Sequence, residues 1–373
     1  MSDVVELRGV SLAPSQIWRG IRLVPILRDQ PLEDLRLDPI CYGDELGVVS
    51  LPDRTVYTSF VPHAFVASWT SNGEPVAALG TQASNGRAPK RGTFPVRFHH
   101  RLAKRERARG AATQRLRFLP LHTAFEAYLA LHFRGPDVAW PEYSASALSH
   151  GLDPHIETVT PGEWIDGLED ALRVFEILHG QVGVLIFVAD ALAAAFVVPH
   201  PDDYRRLHRT LLGDFYGELI YRYAGMYDQL PPMASPIAVE RVSSIADLEL
   251  ELARMRAKWS EFLHGMASGL LLREVHFQRV YRLGRHELCR FLPDFSLDHE
   301  NHIGELIRTP SGETAFLKTF RLSAAQVRRG YLLTMLARNL WSLSETAAAM
   351  NVPLAELRSR LLAAGFLSLL KSA

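Results

Sequence analysis

The spacing of apolar residues separates a strand-rich first part of the chain from a later part in which helices and hairpins alternate. Up to about residue 85, β-branched and aromatic residues are dense, as in TVYTSFVPHAFVASW at 55–69, and SNGEP at 71–75 supplies turn residues. From HTAFEAYLALHF at 122–133 onward, apolar residues recur at three- and four-residue spacing, the period of an amphipathic helix. The pattern therefore predicts a β-rich region followed by a mixed α/β region.

Further along the chain, the same patterns predict helices and hairpins in turn. A helix is expected after Thr160, which would be its N-cap, with Pro161 in the first turn. A hairpin over 181–198 turns at 189–191, and a long amphipathic helix covers 200–224. After a proline-containing linker at 228–236 come a helix over 243–266 and two hairpins that turn at 283–286 and 309–313. From Ser323 onward every pattern is helical.

These changes of pattern divide the chain into four predicted regions. The fold class we predict is α+β, with a β-rich N-terminal region, an α/β middle and an all-helical C-terminal helix-turn-helix. The regions are 1–120, β-rich with an Arg-rich loop at 87–117; 121–228, α/β; 229–320, a helix plus β-hairpins; and 321–373, the helix-turn-helix tail.

The tail pattern predicts three helices in close succession. Ser344 is expected to cap the second helix, Pro353 to lie in the first turn of the third, and Gly365 to be its C′ residue. The first helix would carry its apolar stripe on Val327, Tyr331, Met335 and Leu336, and Ala348, Met350 and Val352 would face Leu357 and Leu361 across the turn.

Residues 332–366, with SETAAAMNVPLAELRSRL at their centre, resemble the Fis-type helix-turn-helix of bacterial regulators. In that family the third helix enters the major groove, and the matching positions here are Leu354, Ala355, Glu356, Arg358 and Ser359. Because Glu356 repels phosphate, we expect backbone docking with little base reading. The expected contacts are Arg358, Arg360 and Ser359 on the third helix and Arg328, Arg329 and Arg338 on the first.

One segment before the tail is strongly cationic, although the whole chain has a formal net charge of zero. Residues 87–117 contain 11 Lys or Arg and one acid, Glu106. Such a segment can neutralise nucleic-acid phosphates, bind an acidic protein, or be a solvated insertion. The candidate phosphate contacts within it are Arg101, Lys104, Arg105, Arg107 and Arg109.

The body of the chain is similar to a bacterial domain family. The similarity lies in VELRGVSLAP near the start and in the segment 179–220, with Gly183, Leu211, Leu212 and Tyr216. The family is the ADP-ribosylglycohydrolase-and-rhodanese-phosphatase-associated protein domain, and the similarity spans residues 1 to about 225. It implies an accessory, non-catalytic role in a bacterial multi-gene system, with a conflict or defence system as one option.

No motif establishes an enzyme, so the sequence leaves that question uncertain and leans against one. His63 lies in a strand-rich segment, and two polar clusters are better explained as a turn and a helix start than as metal sites. We expect no metal and no cofactor. The clusters are Asp298, His299, Glu300 and His302, and His200, Asp202, Asp203 and His208.

The expected location is the cytoplasm, because the chain starts without a signal-peptide pattern and contains no long uncharged apolar run. Cys41 and Cys289, the two cysteines, are expected to be reduced. The leading hypothesis is a non-enzymatic regulatory or accessory protein that binds nucleic acid, DNA more readily than RNA, and no membrane. The alternatives are a structural adaptor that uses the tail as an interface, which would include a homo-oligomer, and an enzyme or binder of an ADP-ribose-like phosphorylated ligand.

Overall fold

The computed structural model describes residues 4–37, 48–50, 56–58, 66–69, 75–77, 115–118, 158–161, 168–211, 227–232, 237–283 and 285–366. The chain divides into two compact units whose segments alternate along the sequence. The first unit comprises Met1–Arg36, Glu163–Pro293 and His302–Arg321, and the second comprises Leu37–Gly162, Asp294–Asn301 and Leu322–Ala373. A large antiparallel sheet together with separate helices makes the fold α+β.

The strands are numbered β1 to β16 and the helices α1 to α7 in chain order. The strands are β1 Ser11–Leu12, β2 Gln16–Trp18, β3 Ile21–Leu27, β4 Leu35–Leu37, β5 Val48–Ser50, β6 Val56–Thr58, β7 Val66–Trp69, β8 Pro75–Ala77, β9 Arg115–Phe118, β10 Thr158–Pro161, β11 Gln181–Val188, β12 Ala191–Val197, β13 His276–Leu283, β14 His286–Leu292, β15 His302–Arg308 and β16 Thr314–Arg321. The helices are α1 Leu168–Val174, α2 Pro201–Leu211, α3 Ile245–Met266, α4 Ser268–Leu271, α5 Ala324–Arg338, α6 Leu343–Ala349 and α7 Leu354–Ala363.

The first unit is built on a nine-stranded antiparallel sheet. Its strands follow the order β1-β3-β11-β12-β16-β15-β14-β13, and β2 also pairs with β3. The sheet combines strands from three of the four regions that the sequence delimits, so strands distant in the chain become neighbours. All three predicted hairpins are confirmed as β11–β12, β13–β14 and β15–β16.

Strands in the middle of the sheet are apolar along their whole length because both faces are covered. The β3 sequence IRLVPIL is buried at six of its seven positions, and β11 is buried at seven of eight. One face packs against the end of α3 and against α4. That core contains, among others, Val24, Ile26, Leu185, Phe187, Leu306, Leu317, Leu263 and Leu270.

Two predictions about the middle of the chain need correction. Thr160 does not cap a helix, because Thr158–Pro161 pairs with Arg115–Phe118 and the helix begins later, at Leu168. Proline is compatible with the end of an edge strand, where its missing N–H costs no ladder hydrogen bond. The same pairing places Arg115 and Arg117, predicted as loop residues, in a strand. The rest of the Arg-rich loop lies outside the described residues.

The other predicted helices of the first unit are found, with one of them described only in part. The helix predicted over 243–266 is confirmed as α3, and Ser244 caps it by accepting a hydrogen bond from the Asp247 N–H. Of the long helix predicted over 200–224, Pro201–Leu211 is described as α2. Within the described part of the chain, no helix is long and apolar enough to cross a membrane.

The second unit contains the helical tail, α5 to α7, in which the predicted caps are partly wrong. Ser323 begins α5 in a capping box with Gln326, and Ser342, rather than Ser344, caps α6. Pro353 is the N-cap of α7 instead of a first-turn residue. Gly365 follows the helix with a φ of 81°, which confirms the predicted C′ position.

The packing predicted inside the tail is also partly wrong. The third-helix leucines, Leu357 and Leu361, are buried as expected, but Ala347 is buried on α6 where Ala348 was predicted. On α5, Val327 and Leu336 are buried while Tyr331 is 37% exposed. Leu343, Thr346 and Ala347 form the buried face of α6 at three- and four-residue spacing, and Ala348 lies outside that face.

Candidate functional site

The exposed face of α7 is set by the two leucines that bury the opposite face. Leu357 and Leu361 are both fully buried and lie one helical turn apart. Helical geometry then directs Ala355 and Ser359 away from the tail core and places Arg358 on one flank of the helix. Leu354, Arg358 and Leu362 form a ridge at four-residue spacing, and the two leucines of this ridge are 38% and 57% exposed.

The two arginines predicted on α7 differ in their electrostatic surroundings. The Arg360 Nη2 donates to a Glu356 carboxylate oxygen 2.5 Å away, in an exposed pair one turn apart along the helix. Arg358 is exposed and makes no ion pair within the described part of the chain. The carboxylate that the sequence suggested would repel phosphate is therefore neutralised by Arg360, and Arg358 is the cation left on the surface of α7.

The N-terminus of α7 adds unsatisfied hydrogen-bond donors. Pro353 is the N-cap residue, and its side chain makes no capping hydrogen bond. The N–H groups of the first turn have no partner within a helix, and with the positive end of the helix dipole they favour an anion.

The three arginines predicted on α5 have different roles. Arg328 is exposed, and no ion pair to it is found among the described residues. Arg329 stacks over the Phe366 ring at 5.2 Å. Arg338 donates to Asp294 at 3.3 Å, and both side chains are 61% exposed. The tail therefore offers Arg328 and Arg358 as its candidate phosphate contacts, together with Ser359 as a hydrogen-bonding side chain.

The other predicted residues either lie outside the described part of the chain or belong to local turns and strands. Arg101, Lys104, Arg105, Arg107 and Arg109 lie outside the described residues, and so does His63. The cluster around Asp298 forms a polar turn before β15, in which the Asn301 amide donates to the carbonyls of Ser296 and His299 at 2.6 and 2.7 Å. His302 is buried at the start of that strand, whereas Asp298 and His299 are exposed.

The cluster at the start of α2 contributes to the structure of that region. Asp202 and Asp203 occupy the first turn, and the Asp202 N–H donates to His200 Nδ1 at 3.1 Å. Burial lowers the pKa of His208, and this effect outweighs the hydrogen bond to the Phe175 carbonyl, which acts to raise that pKa. Its neutral ring bonds that carbonyl through Nε2 at 2.9 Å and Tyr204 through Nδ1 at 3.2 Å. Among the described residues, no three His, Cys, Asp or Glu side chains converge on a possible metal position.

A row of buried charges in the sheet was missed by the sequence reasoning. Arg290, Glu305 and Lys318 are directly opposite one another on the adjacent strands β14, β15 and β16. They are 8%, 1% and 0% exposed, and Arg290 Nη2 lies 3.7 Å from Glu305 Oε1. The signal was present in the sequence, since each strand carries one charged residue in the middle of an apolar run. Only the strand order shows that the three residues are neighbours.

A second missed group joins the start of β14 to the segment before β4. His286 Nε2 lies 2.7 Å from Asp34 Oδ2, and Arg285 Nε donates to the same oxygen at 2.6 Å. Partial burial acts to raise the pKa of the Asp34 carboxyl, but the hydrogen bonds from His286 and Arg285 outweigh it and hold that pKa below its usual value. Asp34 is therefore a carboxylate that ties together segments about 250 residues apart.

Comparison with known proteins gives a match for the body of the chain. A family model described as ARPP-2 matches residues 5–284. That span is about three quarters of the chain; it includes β1 to β13 and ends before the tail helices. No curated protein and no solved structure matches the chain.

Proposed function

We propose a function from the premise that this chain belongs to the ARPP-2 family, whose model matches its body and not its tail. The chain is a non-enzymatic bacterial accessory protein of the cytoplasm that docks on nucleic acid through the α5–α7 tail. The tail acts as a helix-turn-helix, and duplex DNA is its main ligand. The body serves the regulatory role of the protein within a multi-gene system.

The observation that carries this proposal is the surface of α7. A short turn separates α6 from α7, and the burial of Leu357 and Leu361 leaves Ser359 on the opposite side of α7 and Arg358 on its flank, next to a helix N-terminus that Pro353 does not cap. This combination of a cation, a hydroxyl and free N–H groups suits a phosphate backbone. Sequence-specific contact with the bases is minor, because only Ser359 among the outward-facing side chains of α7 can form hydrogen bonds. The other two outward positions are Ala355 and Leu362.

A direct binding experiment tests the proposal. The intact protein is titrated against labelled duplex DNA, single-stranded DNA and RNA at about 50 and 200 mM salt. Two arginine contacts, Arg358 and Arg328, give a log–log salt slope of about −1.8, so duplex binding should weaken at least about tenfold over that range. Duplex DNA should bind most tightly of the three.

The same titration includes a control for charge alone. Arg273→Glu reverses an exposed arginine in the turn after α4 and should leave duplex binding unchanged. If the protein binds none of the three nucleic acids at the lower salt concentration, the proposal is overturned.

A second function is favoured by the exposed leucines of the tail. Leu354 and Leu362 flank Arg358 on the ridge of α7, and Leu340, between α5 and α6, is 86% exposed. Exposed leucines are typical of protein interfaces rather than of groove-reading surfaces. If the tail is an adaptor, the Leu362→Ser substitution should abolish capture of a protein partner. Neither the wild-type chain nor this variant should then bind nucleic acid.

A further inference from the structure

Helix α3 is long, and few of its residues are buried. It spans 22 residues, which is about 33 Å at 1.5 Å per residue, and two of them, Glu251 and Leu263, are buried. A helix of a globular protein ordinarily buries an apolar stripe along its whole length. In α3 that stripe is present in the sequence, but much of it remains at the surface.

Most of the large apolar residues of α3 follow a seven-residue repeat, and the exceptions are Leu250, which is exposed, and Leu263, which belongs to the sheet core. The spacing along the repeat alternates between three and four, which is the a/d pattern of a coiled coil. Ile245 is 79%, Leu248 38% and Phe262 49% exposed, while the central members of the stripe are half-buried. The stripe, called here the α3 seam, consists of Ile245, Leu248, Leu252, Met255, Trp259 and Phe262, and the next position, Met266, packs against the sheet core.

Charges flank the α3 seam in a self-complementary arrangement. Glu249 and Arg256 occupy the e positions of successive heptads, and both are exposed. When two such helices run antiparallel, e positions face e positions across the seam. Glu249 of one copy then lies beside Arg256 of the other, and the two-fold symmetry produces this pair twice.

The charge at a g position, on the other side of the α3 seam, favours the antiparallel direction. In a parallel pair, the g position of one helix faces the following e position of the other, which would pair Glu251 with Arg256. Glu251 is 8% exposed, and Arg254 of its own helix donates to it at 2.5 Å. Its charge is therefore already neutralised within the chain, and Glu249 would have no partner in a parallel dimer.

From these observations we propose that the α3 seam binds a second copy of this chain, forming an antiparallel two-helix interface. The symmetry axis passes between Ala253 and Arg254, so that Leu252 packs on Met255, Leu248 on Trp259 and Ile245 on Phe262 of the other copy. The dimer carries two tails, and its formation does not depend on nucleic acid.

Charge exchange on the full-length protein tests the interface and its direction together. Sedimentation equilibrium should show a monomer–dimer equilibrium, and Glu249→Arg should raise the dimer dissociation constant about tenfold, since it turns two attractive pairs into repulsive ones. Arg256→Glu should have an effect of the same size. The double exchange Glu249→Arg/Arg256→Glu should restore the wild-type constant to within about threefold.

Glu261→Arg is the matched control, because it makes the same charge change on the exposed side of α3 away from the seam and should leave the constant unchanged. Three results would overturn the proposal. They are a monomeric wild-type protein throughout the micromolar range, a dimer that Glu249→Arg does not weaken, and a double exchange that does not restore association.

Discussion

Gly183→Ala should lower the free energy of unfolding by about 3 kcal/mol, because the new methyl group has no space in the sheet. A Cβ at this position would lie 2.1 Å from the Phe196 carbonyl oxygen and 2.9 Å from the Val197 Cα. Both contacts are backbone atoms of β12, and they cannot move away as the end of a side chain can. The register also shifts between Gln181 and Gly183 where β11 pairs with β3, so both neighbouring strands constrain this residue.

Urea denaturation of the full chain measures this loss, and the chain offers a matched control. Gly265→Ala adds the same methyl group in α3, where no atom lies within 4 Å of the new Cβ. Removing a glycine from a helix should stabilise the protein by up to about 1 kcal/mol. If neither Gly183→Ala nor Gly265→Ala changes the urea concentration at the midpoint of unfolding, the close contact between Gly183 and the backbone of β12 is contradicted.

Glu305→Ala should also be strongly destabilising, by about 3–5 kcal/mol. The substitution removes the carboxylate between Arg290 and Lys318, which are both buried and directly opposite it on the neighbouring strands. The two buried cations would then lose the carboxylate that lies between them. Removing one member of a buried charged group costs more than the net value of the ion pair, so removing the carboxylate alone is the damaging change.

Glu287→Ala provides the surface comparison for the same measurement. Glu287 pairs with Arg279 at 3.3 Å on the same hairpin, but the two side chains are 44% and 61% exposed. Because water screens an exposed pair, its loss should cost less than about 1 kcal/mol. Equal losses of stability for Glu305→Ala and Glu287→Ala would contradict the burial of the charged row.

The hairpins were predictable because their signals are local. Ala189 and Asp190 both adopt positive φ between β11 and β12, and Gly312 does so between β15 and β16. These turns join apolar runs of strand length, so short-range chemistry determines both the strands and their pairing. The C′ position of Gly365 was predictable for the same reason.

The features that the sequence did not reveal depend on long-range contacts or on competing local signals. Arg290 and Glu305 belong to different hairpins, and their contact requires β14 to pair with β15. The Asp34–His286 pair joins residues about 250 positions apart. At the tail, Ser342 and Ser344 are both suitable caps, and the local sequence does not choose between them. Proline at the end of β10 resembled a helix start, because the same fixed φ suits both structures.

The state of the two arginines on α7 was likewise hidden in the sequence. Arg358 and Arg360 appear equivalent until the helix face and the Glu356 pair are known. Helical geometry places them on opposite flanks, one exposed without an ion pair among the described residues and the other beside a carboxylate. This difference allows the proposed docking surface to be tested without changing the fold of the tail.

The measurement that tests the central proposal most directly compares two neutralising changes on α7 in duplex DNA binding. Arg358→Gln removes the exposed cation, and the double change Glu356→Gln/Arg360→Gln removes the second arginine together with its carboxylate, leaving the net charge unchanged. We predict that Arg358→Gln raises the dissociation constant about tenfold and reduces the salt slope by about 1, while the double change alters affinity by less than about twofold. Equal effects of the two changes, or no effect of Arg358→Gln, would contradict docking through this face of α7.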